Sequence, residues 1–217
     1  MPSEGDDAAW TPPELRFDLL YLRMDDAWRG GASALALDVP LSDADSVCLS
    51  YQLAMLGTDP IEGDTHADDL LRWQRSTVDY KRRLFGYTRH ASFDLAVNAG
   101  FEIDTFNAPG EGPPLDLTVR FSPHLGVELA LWEAEAFGLI LHAGKSVPLN
   151  LSGVSADITD LSATFRLDIS NGLSIHAGYR VYLVRLKVYG ERYVHEHGRD
   201  ELDETLAGPF LGIDLRF

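Results

Sequence analysis

The segment "GPFLGIDLRF", residues 208–217, decides the fold because its side chains alternate strictly between two characters. Its apolar residues fall at every second position: Leu211, Ile213, Leu215 and Phe217. The residues between them are small or charged: Gly212, Asp214 and Arg216. Successive side chains of a β-strand point to opposite faces, so this alternation predicts a strand with one apolar and one polar face.

The same period of two recurs along the chain, and no convincing long amphipathic helix interrupts it. It is clearest in "SVCLSYQLAM", "SFDLAVNAGF", "LDLTVRF" and "LSATFRLDI". The predicted strands are 15–25, 31–40, 46–56, 73–88, 91–104, 114–122, 125–134, 157–170, 173–190 and 208–217. The sequence thus predicts an all-β chain of about ten strands, with eight or twelve as alternatives, since "FGLILHAG" at 137–144 reads as a further strand.

The connections between these strands alternate in length. Short ones such as "SPHL" at 122–125 and Asn171–Gly172 take turns with long, mostly acidic ones such as residues 135–156 and "ERYVHEHGRDELDETLA". An up-and-down meander with this pattern has tight turns at one end and long loops at the other. That asymmetry is typical of transmembrane β-barrels.

Composition excludes several functions. The formal charge of −16 disfavours nucleic-acid binding, which needs clustered cations. No run of about 18 apolar residues is present, so a transmembrane helix is not expected. The single Cys48 cannot form an internal disulfide, and no cofactor or dedicated metal site is expected. The polar residues 1–14 are predicted to be a periplasmic tail, with 15–217 as the barrel.

The last ten residues resemble the C-terminal strand of Gram-negative outer-membrane β-barrel proteins, and the chain as a whole resembles the small OmpA/OmpW-like class. Phe217 matches the terminal aromatic residue of that strand, and Gly212 or Gly208 matches its glycine. The resemblance implies localisation in the cell outer membrane, contact with membrane lipid, and insertion by the barrel assembly machinery through the C-terminal strand. A porin-like integral membrane protein, monomeric in the bilayer, is the expectation.

In a membrane barrel the polar face lines the lumen. The face mixes Arg and Asp with small residues, a composition that favours paired charges in a narrow space. The predicted lumen network comprises Asp116, Arg120, Arg166, Asp168, His176, Arg180, Asp214 and Arg216. A lumen this narrow is expected to be largely filled by side chains, which favours a structural or small-pore role.

Aromatic residues at strand ends predict the two membrane interfaces. Trp28, Trp73, Trp132 and Tyr189 are expected at the long-loop interface, and Phe217 at the other. One residue departs from the pattern, because Arg82 lies in the apolar register of its strand and needs a bulge, a shifted register or access to an interface.

Two other functions stay open. One is a soluble β-barrel that binds an apolar ligand. The other is a barrel lipid hydrolase, because His90 and Ser92 resemble the pair of the outer-membrane lipid A deacylases, although no orienting acid is identified and enzymatic activity is not the favoured expectation. The loop residues His195 and His197 could bind a metal adventitiously.

Overall fold

The computed structural model describes residues 12–24, 28–58, 70–85, 92–108, 115–133, 136–147, 149, 154–188 and 201–217. At residues 28, 58, 92, 108, 115–121, 132–133, 154, 188 and 201–202 the description covers the backbone alone. Within these ranges no helix is long and apolar enough to span a membrane.

The alternating segments form an antiparallel sheet that closes on itself. Its strands are β1 (Glu14–Met24), β2 (Trp28–Pro40), β3 (Asp45–Thr58), β4 (Leu70–Phe85), β5 (Ser92–Ala108), β6 (Leu115–Glu133), β7 (Phe137–Ser146), β8 (Val154–Ser170), β9 (Leu173–Val188) and β10 (Glu201–Arg216). Each strand pairs with its sequence neighbours, and β10 pairs with β1 to complete the barrel. The predicted up-and-down barrel of ten strands is confirmed.

The seam between β1 and β10 is in the register that the terminal segment predicts. Leu15 lies opposite Leu215, Phe17 opposite Ile213, and Leu19 opposite Leu211. Apolar residues thus face apolar residues across the seam and share one surface of the sheet. The predicted pairing of the last strand with the first is confirmed.

The two ends of the barrel differ in the length of their connections. At the short-turn end the strands are joined across residues 41–44, 86–91, 134–136 and 171–172. β1 begins and β10 ends at this same end of the barrel. The long-loop end carries residues 25–27, 59–69, 109–114, 147–153 and 189–200. The predicted asymmetry is therefore present, although the 25–27 connection is itself short.

Two predicted boundaries are wrong, but the first error removes one strand and the second adds one, so the count stays at ten. Residues 115–133 form the single strand β6, where two strands and a turn at "SPHL" were expected. The segment 137–146, left open by the sequence, is the strand β7. Pro123 suggested a turn, but it lies inside β6 opposite Phe101. The β5–β6 pairing shifts register next to it, where Glu102 to Asp104 lie opposite Ser122 to Val119 and β6 carries the extra residue. Such an irregularity lets a strand carry a proline without ending.

Candidate functional site: the lumen and the lipid-facing surface

The outer surface of the barrel is a continuous apolar band. Its exposed outward residues include Phe17, Leu19, Tyr21, Leu35, Leu49, Tyr51, Val78, Phe101, Leu125, Val127, Leu141, Leu161, Phe165, Ile175, Tyr179, Leu211, Ile213 and Leu215. Soluble monomers rarely expose a contiguous apolar area above a few hundred Å². A band that runs around a closed barrel is the lipid-facing surface of a membrane protein. A soluble barrel that binds an apolar ligand would have its apolar face inside instead.

Arg82 lies on this outer face but outside the band. It is exposed near the short-turn end, with its Nη1 3.8 Å from Asp45 Oδ1. Tyr80 donates a hydrogen bond from its hydroxyl to the same carboxylate. An arginine at the rim reaches the polar interface with its side chain. The β4–β5 pairing also shifts register between Arg83 and Phe85, directly after it, so both expected explanations are present.

Inside the barrel, the short-turn end contains an ion-pair network centred on Asp214. This carboxylate is fully buried and accepts a hydrogen bond from Arg16 Nε at 2.9 Å. Arg166 Nη1 lies 3.2 Å from its other oxygen, and His176 Nδ1 lies 3.3 Å away. His176 contacts Asp18 through its second ring nitrogen. Opposite charges therefore surround one another in the space that β1, β8, β9 and β10 enclose.

Glu14 is the second centre of this network. Arg166 binds it in a bidentate manner, with Nη1 to Oε1 at 3.0 Å and Nη2 to Oε2 at 2.8 Å. Arg216 donates to it from Nε at 3.0 Å, and Arg166 also donates to Asp168 at 3.0 Å. Paired donors in this planar geometry are among the strongest hydrogen bonds in proteins.

The structure thus brings five of the predicted lumen residues together. They are Arg166, Asp168, His176, Asp214 and Arg216. The predicted network left out three partners. The sequence places Arg16 and Asp18 on the polar face without naming them in the network, and it assigns Glu14 to the tail. Glu14, Arg16 and Asp18 share one face of β1 at spacings of two, and this periodicity is the signal that places Arg16 and Asp18 inside the barrel.

A second polar layer lies nearer the middle of the barrel. Arg75 Nη2 donates to Glu102 Oε2 at 2.5 Å, and Arg75 Nη1 donates to Asp160 Oδ2 at 3.5 Å. Arg180, the sixth predicted lumen residue, has its Nε 3.4 Å from Asp160 Oδ1. The guanidinium of Arg75 lies 5.8 Å from the centre of the Tyr182 ring. A cation over an aromatic face gains a further electrostatic contact in this desolvated space.

Trp73 joins this layer, and its prediction as an interface residue is wrong. It is 1% exposed and points into the barrel. Its indole Nε1 donates to Asp104 at 2.8 Å, and its ring stacks on Phe106 with 5.5 Å between centroids. The sequence placed Trp73 at the correct end of β4, but a tryptophan at a strand end can face either side of the sheet.

Above this layer, at the long-loop end, the inside of the barrel is apolar. The cluster there consists of Leu20, Leu22, Met24, Ala32, Ala54, Leu56, Leu71, Trp73, Phe106, Ala156, Ile158, Tyr182, Val184, Leu186, Leu206 and Phe210. Among the described residues, buried charged and polar side chains thus lie at the short-turn end and in the middle, and buried apolar ones at the long-loop end.

Contacts between opposite walls cross the axis of the barrel. Trp73 on β4 meets Tyr182 on β9, directly across the ring of strands, with 4.8 Å between the ring centroids. Tyr182 also donates a hydrogen bond to Gln52 on β3. Side chains from facing walls thus touch at the axis and fill the lumen there.

Several predicted residues are described only in part. The backbone of Asp116 and Arg120 lies in β6, but their side chains are outside the described set, and so are those of Trp28 and Ser92. Trp132 lies at the short-turn end of β6, opposite Ser92, so its expected place at the long-loop end is wrong because β6 is one strand. His90, Tyr189, His195 and His197 lie outside the described residues.

Phe217 lies at the short-turn rim, as expected, and is 68% exposed. Its N–H donates to Pro13 O at 3.2 Å. The aromatic ring therefore extends outward next to the apolar side chains of β10, where an interface anchor would lie.

No family model matches this chain, and no curated protein matches its sequence. Among solved structures it is similar to Neisserial surface protein A, with 10% identity over 94% of this chain and 97% of that one, at a TM-score of 0.48. It is similar to the N-terminal β-barrel domain of Pseudomonas aeruginosa OprF, with 11% identity over 93% and 97%, at a TM-score of 0.44. It is also similar to the outer-membrane protease OmpT of Escherichia coli, with 8% identity over 95% and 94%, at a TM-score of 0.48.

The features of the chain itself define its class. A closed antiparallel meander with an even number of strands, an apolar outer band and tight turns at one end is the architecture of bacterial outer-membrane barrels. The chain therefore has the fold of a transmembrane β-barrel, with the apolar band as its lipid-facing surface.

Proposed function

We propose that this protein is a non-conducting structural barrel of the outer membrane, closed by its own side chains. The observation that carries the proposal is the contact between Trp73 and Tyr182 across the full width of the barrel. Two further layers flank this contact, the apolar cluster on the long-loop side and the polar ion-pair network around Asp214 on the other. A structural role therefore fits the geometry better than a pore.

The lengths of the loops suggest how the barrel is oriented in the membrane. Outer-membrane barrels have their longer loops outside the cell, so the apolar cluster would close the extracellular side and the Asp214 network would face the periplasm. Residues 59–69 and 189–200, both acidic, would then be extracellular. Loops held by a rigid closed barrel are suited to contact with partners outside the cell.

The proposal extends to assembly and oligomeric state. The outward residues Leu211, Ile213 and Leu215 of β10 suit recognition by the barrel assembly machinery, which the resemblance of this strand implies. All ten strands find their partners within one chain, which supports a monomer. The charge of −16 supports the expectation that nucleic acid is not a partner.

Conductance in a planar lipid bilayer tests the closure. The unmodified protein is expected to give no steady current, because the rings at the axis leave no continuous path for water. Changing Trp73, Phe106 and Tyr182 together to alanine removes those rings, and this variant is expected to conduct.

The matched control is Tyr179→Ala, which removes an outward-facing ring that is 52% exposed on the same strand as Tyr182. This control is expected to give no steady current. Steady conductance by the unmodified protein would overturn the proposal. Equal currents in the control and the triple variant would place the leak at the protein–lipid boundary and would also contradict it.

A further inference from the structure

Two histidines inside the barrel direct their ring nitrogens at the same bare stretch of backbone. His124 lies on β6 and His142 on β7, both on the inward face of the sheet. Gly144 lies between them and leaves the space open. A Cβ built on Gly144 would lie 2.5 Å from His124 Nε2 and 3.0 Å from His142 Nε2. Both nitrogens are therefore within 3.0 Å of one point in the lumen.

The Nε2 atom of His124 is buried and has no protein partner. The residue is 4% exposed, and this nitrogen makes no hydrogen bond to any described residue. Leaving a buried polar atom without a partner costs about 1–3 kcal/mol. The nitrogen thus points at a position where a group from outside the protein chain would be favoured.

Asp79 determines which form the ring of His124 takes. Its Oδ1 lies 3.1 Å from His124 Nδ1, so the carboxylate accepts the hydrogen of that nitrogen. In a neutral imidazole only one nitrogen carries a hydrogen, so Nε2 presents its lone pair to the space over Gly144. A histidine whose other nitrogen donates to a carboxylate is the usual arrangement of a metal ligand.

A second glycine makes the contact between Asp79 and His124 possible. Asp79 on β4 lies opposite Gly100 on β5, and Gly100 lies opposite His124 on β6. A Cβ on Gly100 would collide with Oδ1 of Asp79, so any side chain there would displace the carboxylate. Bare backbone at two positions therefore keeps open a row of polar groups that crosses four neighbouring strands.

The lumen beside His142 has room for water. His142 points inward and is yet only half-buried. Lys81 and Glu128, which form an ion pair of 2.6 Å on the same side of the lumen, have side chains that are 29% and 27% exposed. Water can therefore reach the space over Gly144 and complete the coordination of an ion there.

We propose that His124 and His142 bind a divalent transition-metal ion in the lumen through their Nε2 atoms. Imidazole is a preferred ligand of Zn²⁺, Cu²⁺ and Ni²⁺. Such ions lie about 2.0–2.1 Å from a ligand nitrogen, so small rotations of the two rings bring both nitrogens into range. In the described part of the chain no group of three His, Cys, Asp or Glu side chains could hold a metal, so water fills the other positions.

This site differs from the adventitious one that the sequence suggests at His195 and His197. Histidines on separate strands share no spacing in the sequence, so only the pairing of β6 with β7 brings His124 and His142 together. The test must therefore separate the lumen from the loops. A full-length parent protein with all histidines outside the described residues changed to asparagine serves this purpose: His66, His90, His195 and His197.

The test refolds this parent in a neutral detergent, titrates it with Cu²⁺ and counts the bound ions. One ion per chain is expected, with two nitrogen ligands in its electron paramagnetic resonance spectrum. His142→Gln, at a half-buried position, is expected to leave one nitrogen ligand and to abolish tight binding. Asp79→Asn is expected to weaken binding by about tenfold or more, as changes to groups that orient a metal ligand commonly do.

A glycine variant tests the shared point between the rings. Gly144→Ala keeps both histidines but places a methyl group between their nitrogens, and it is expected to abolish tight binding. Its matched control is Gly126→Ala, on the residue directly opposite in β6. There the methyl group would meet the side chain of Asn98, which can move, so the affinity is expected to stay within the error of the parent.

Several outcomes would overturn the proposal. They are a Gly144→Ala variant that binds Cu²⁺ as tightly as the parent, or equal losses in the two alanine variants. Binding by the unmodified protein that the parent lacks would identify adventitious ions on the loops and would also contradict it. Folding of each variant is read from the mobility of unheated samples on SDS gels. Closure of the lumen is read from conductance, so failure of the metal site leaves the proposed function untouched.

Discussion

Asp214 shows how a charge is kept inside the barrel. Its side chain is fully buried, yet Arg16, Arg166 and His176 surround it within 3.3 Å. Removing one member of a buried ionic cluster leaves the others desolvated and without compensation. Asp203 on the same strand is the opposite case, because it and Arg185 are more than half exposed and gain little from their pairing.

At this scale we predict that Asp214→Asn lowers the free energy of unfolding by about 3 kcal/mol. Arg16 loses its nearest counterion and keeps only Glu14, 3.8 Å away, while Arg166 keeps its bidentate pair with Glu14. Asp203→Asn, the matched control, is expected to cost less than about 1 kcal/mol. Urea unfolding in phosphatidylcholine vesicles, followed by tryptophan fluorescence, measures both. Similar losses at the two positions would contradict a specific role of the network.

At the scale of the strand, the seam between β1 and β10 depends on a glycine. The pairing is interrupted at Gly208 and Pro209 and resumes in the same register beyond them. Pro209 has no amide hydrogen to donate, so the two strands meet there without a ladder bond from it. A Cβ on Gly208 would lie 1.6 Å from the carbonyl oxygen of Tyr21. The close approach therefore tolerates no side chain at this position.

We predict that Gly208→Ala weakens closure of the barrel and lowers the temperature at which it loses its compact form on SDS gels. The new methyl group would collide with the backbone of β1, which must shift. Gly31→Ala is the control, because its Cβ faces open space. It is expected to leave the transition temperature within the error of the unmodified protein. A barrel that tolerates both changes equally would show that the seam is not tight at Gly208.

At the scale of the whole molecule, polarity reverses along the axis. Over most of its height the barrel is apolar outside and charged inside, while at the long-loop end leucines such as Leu22 and Leu56 are inside and Arg23 is outside. A reversal of this kind suits a level at which the surroundings of a barrel change from lipid to water. Above that level the barrel is organised as a soluble one would be.

This reversal predicts that the cost of an added charge depends on depth. Leu35→Arg places a cation in the middle of β2, on the lipid-facing surface, and is expected to cost about 2–4 kcal/mol of unfolding free energy in vesicles. Leu41→Arg adds the same charge in the exposed turn after β2, where the expected cost is at most about 1 kcal/mol. The same urea titration measures both. Equal costs would contradict a bilayer around β2.

The fold could be predicted from the sequence because strand alternation is a local property. Residues 208–217 and 161–169 show which positions share a face without any knowledge of their neighbours. The proline that interrupts this alternation in β6 was harder to interpret. Pro123 is a turn residue by local preference, but the strand continues through it because β5 and β7 pair on either side. Tertiary pairing outweighed the local preference there.

Membership of the lumen network was predictable in part for the same reason. Arg166, Asp168, His176, Asp214 and Arg216 share the polar face of their strands. Glu14 was not identified, because the first residue of a strand shows no alternation before it. The sequence also could not predict that the side chain of Trp73 points into the barrel. Its neighbours Leu71 and Arg75 point the same way, so the inward face of β4 is apolar at its start and polar further along.

The sequence by itself determined the strand character, the terminal register and the lipid-facing side of most strands, because each follows from side chains two residues apart. Only the tertiary structure decided which side chains contact one another inside the barrel. The contact between Trp73 and Tyr182, the pairing of Arg166 with Glu14 and the layer shared by Arg75 and Asp160 join strands that lie far apart in the chain. Closure of the sheet sets which walls face each other, and residues on facing walls carry no local signal of their partners.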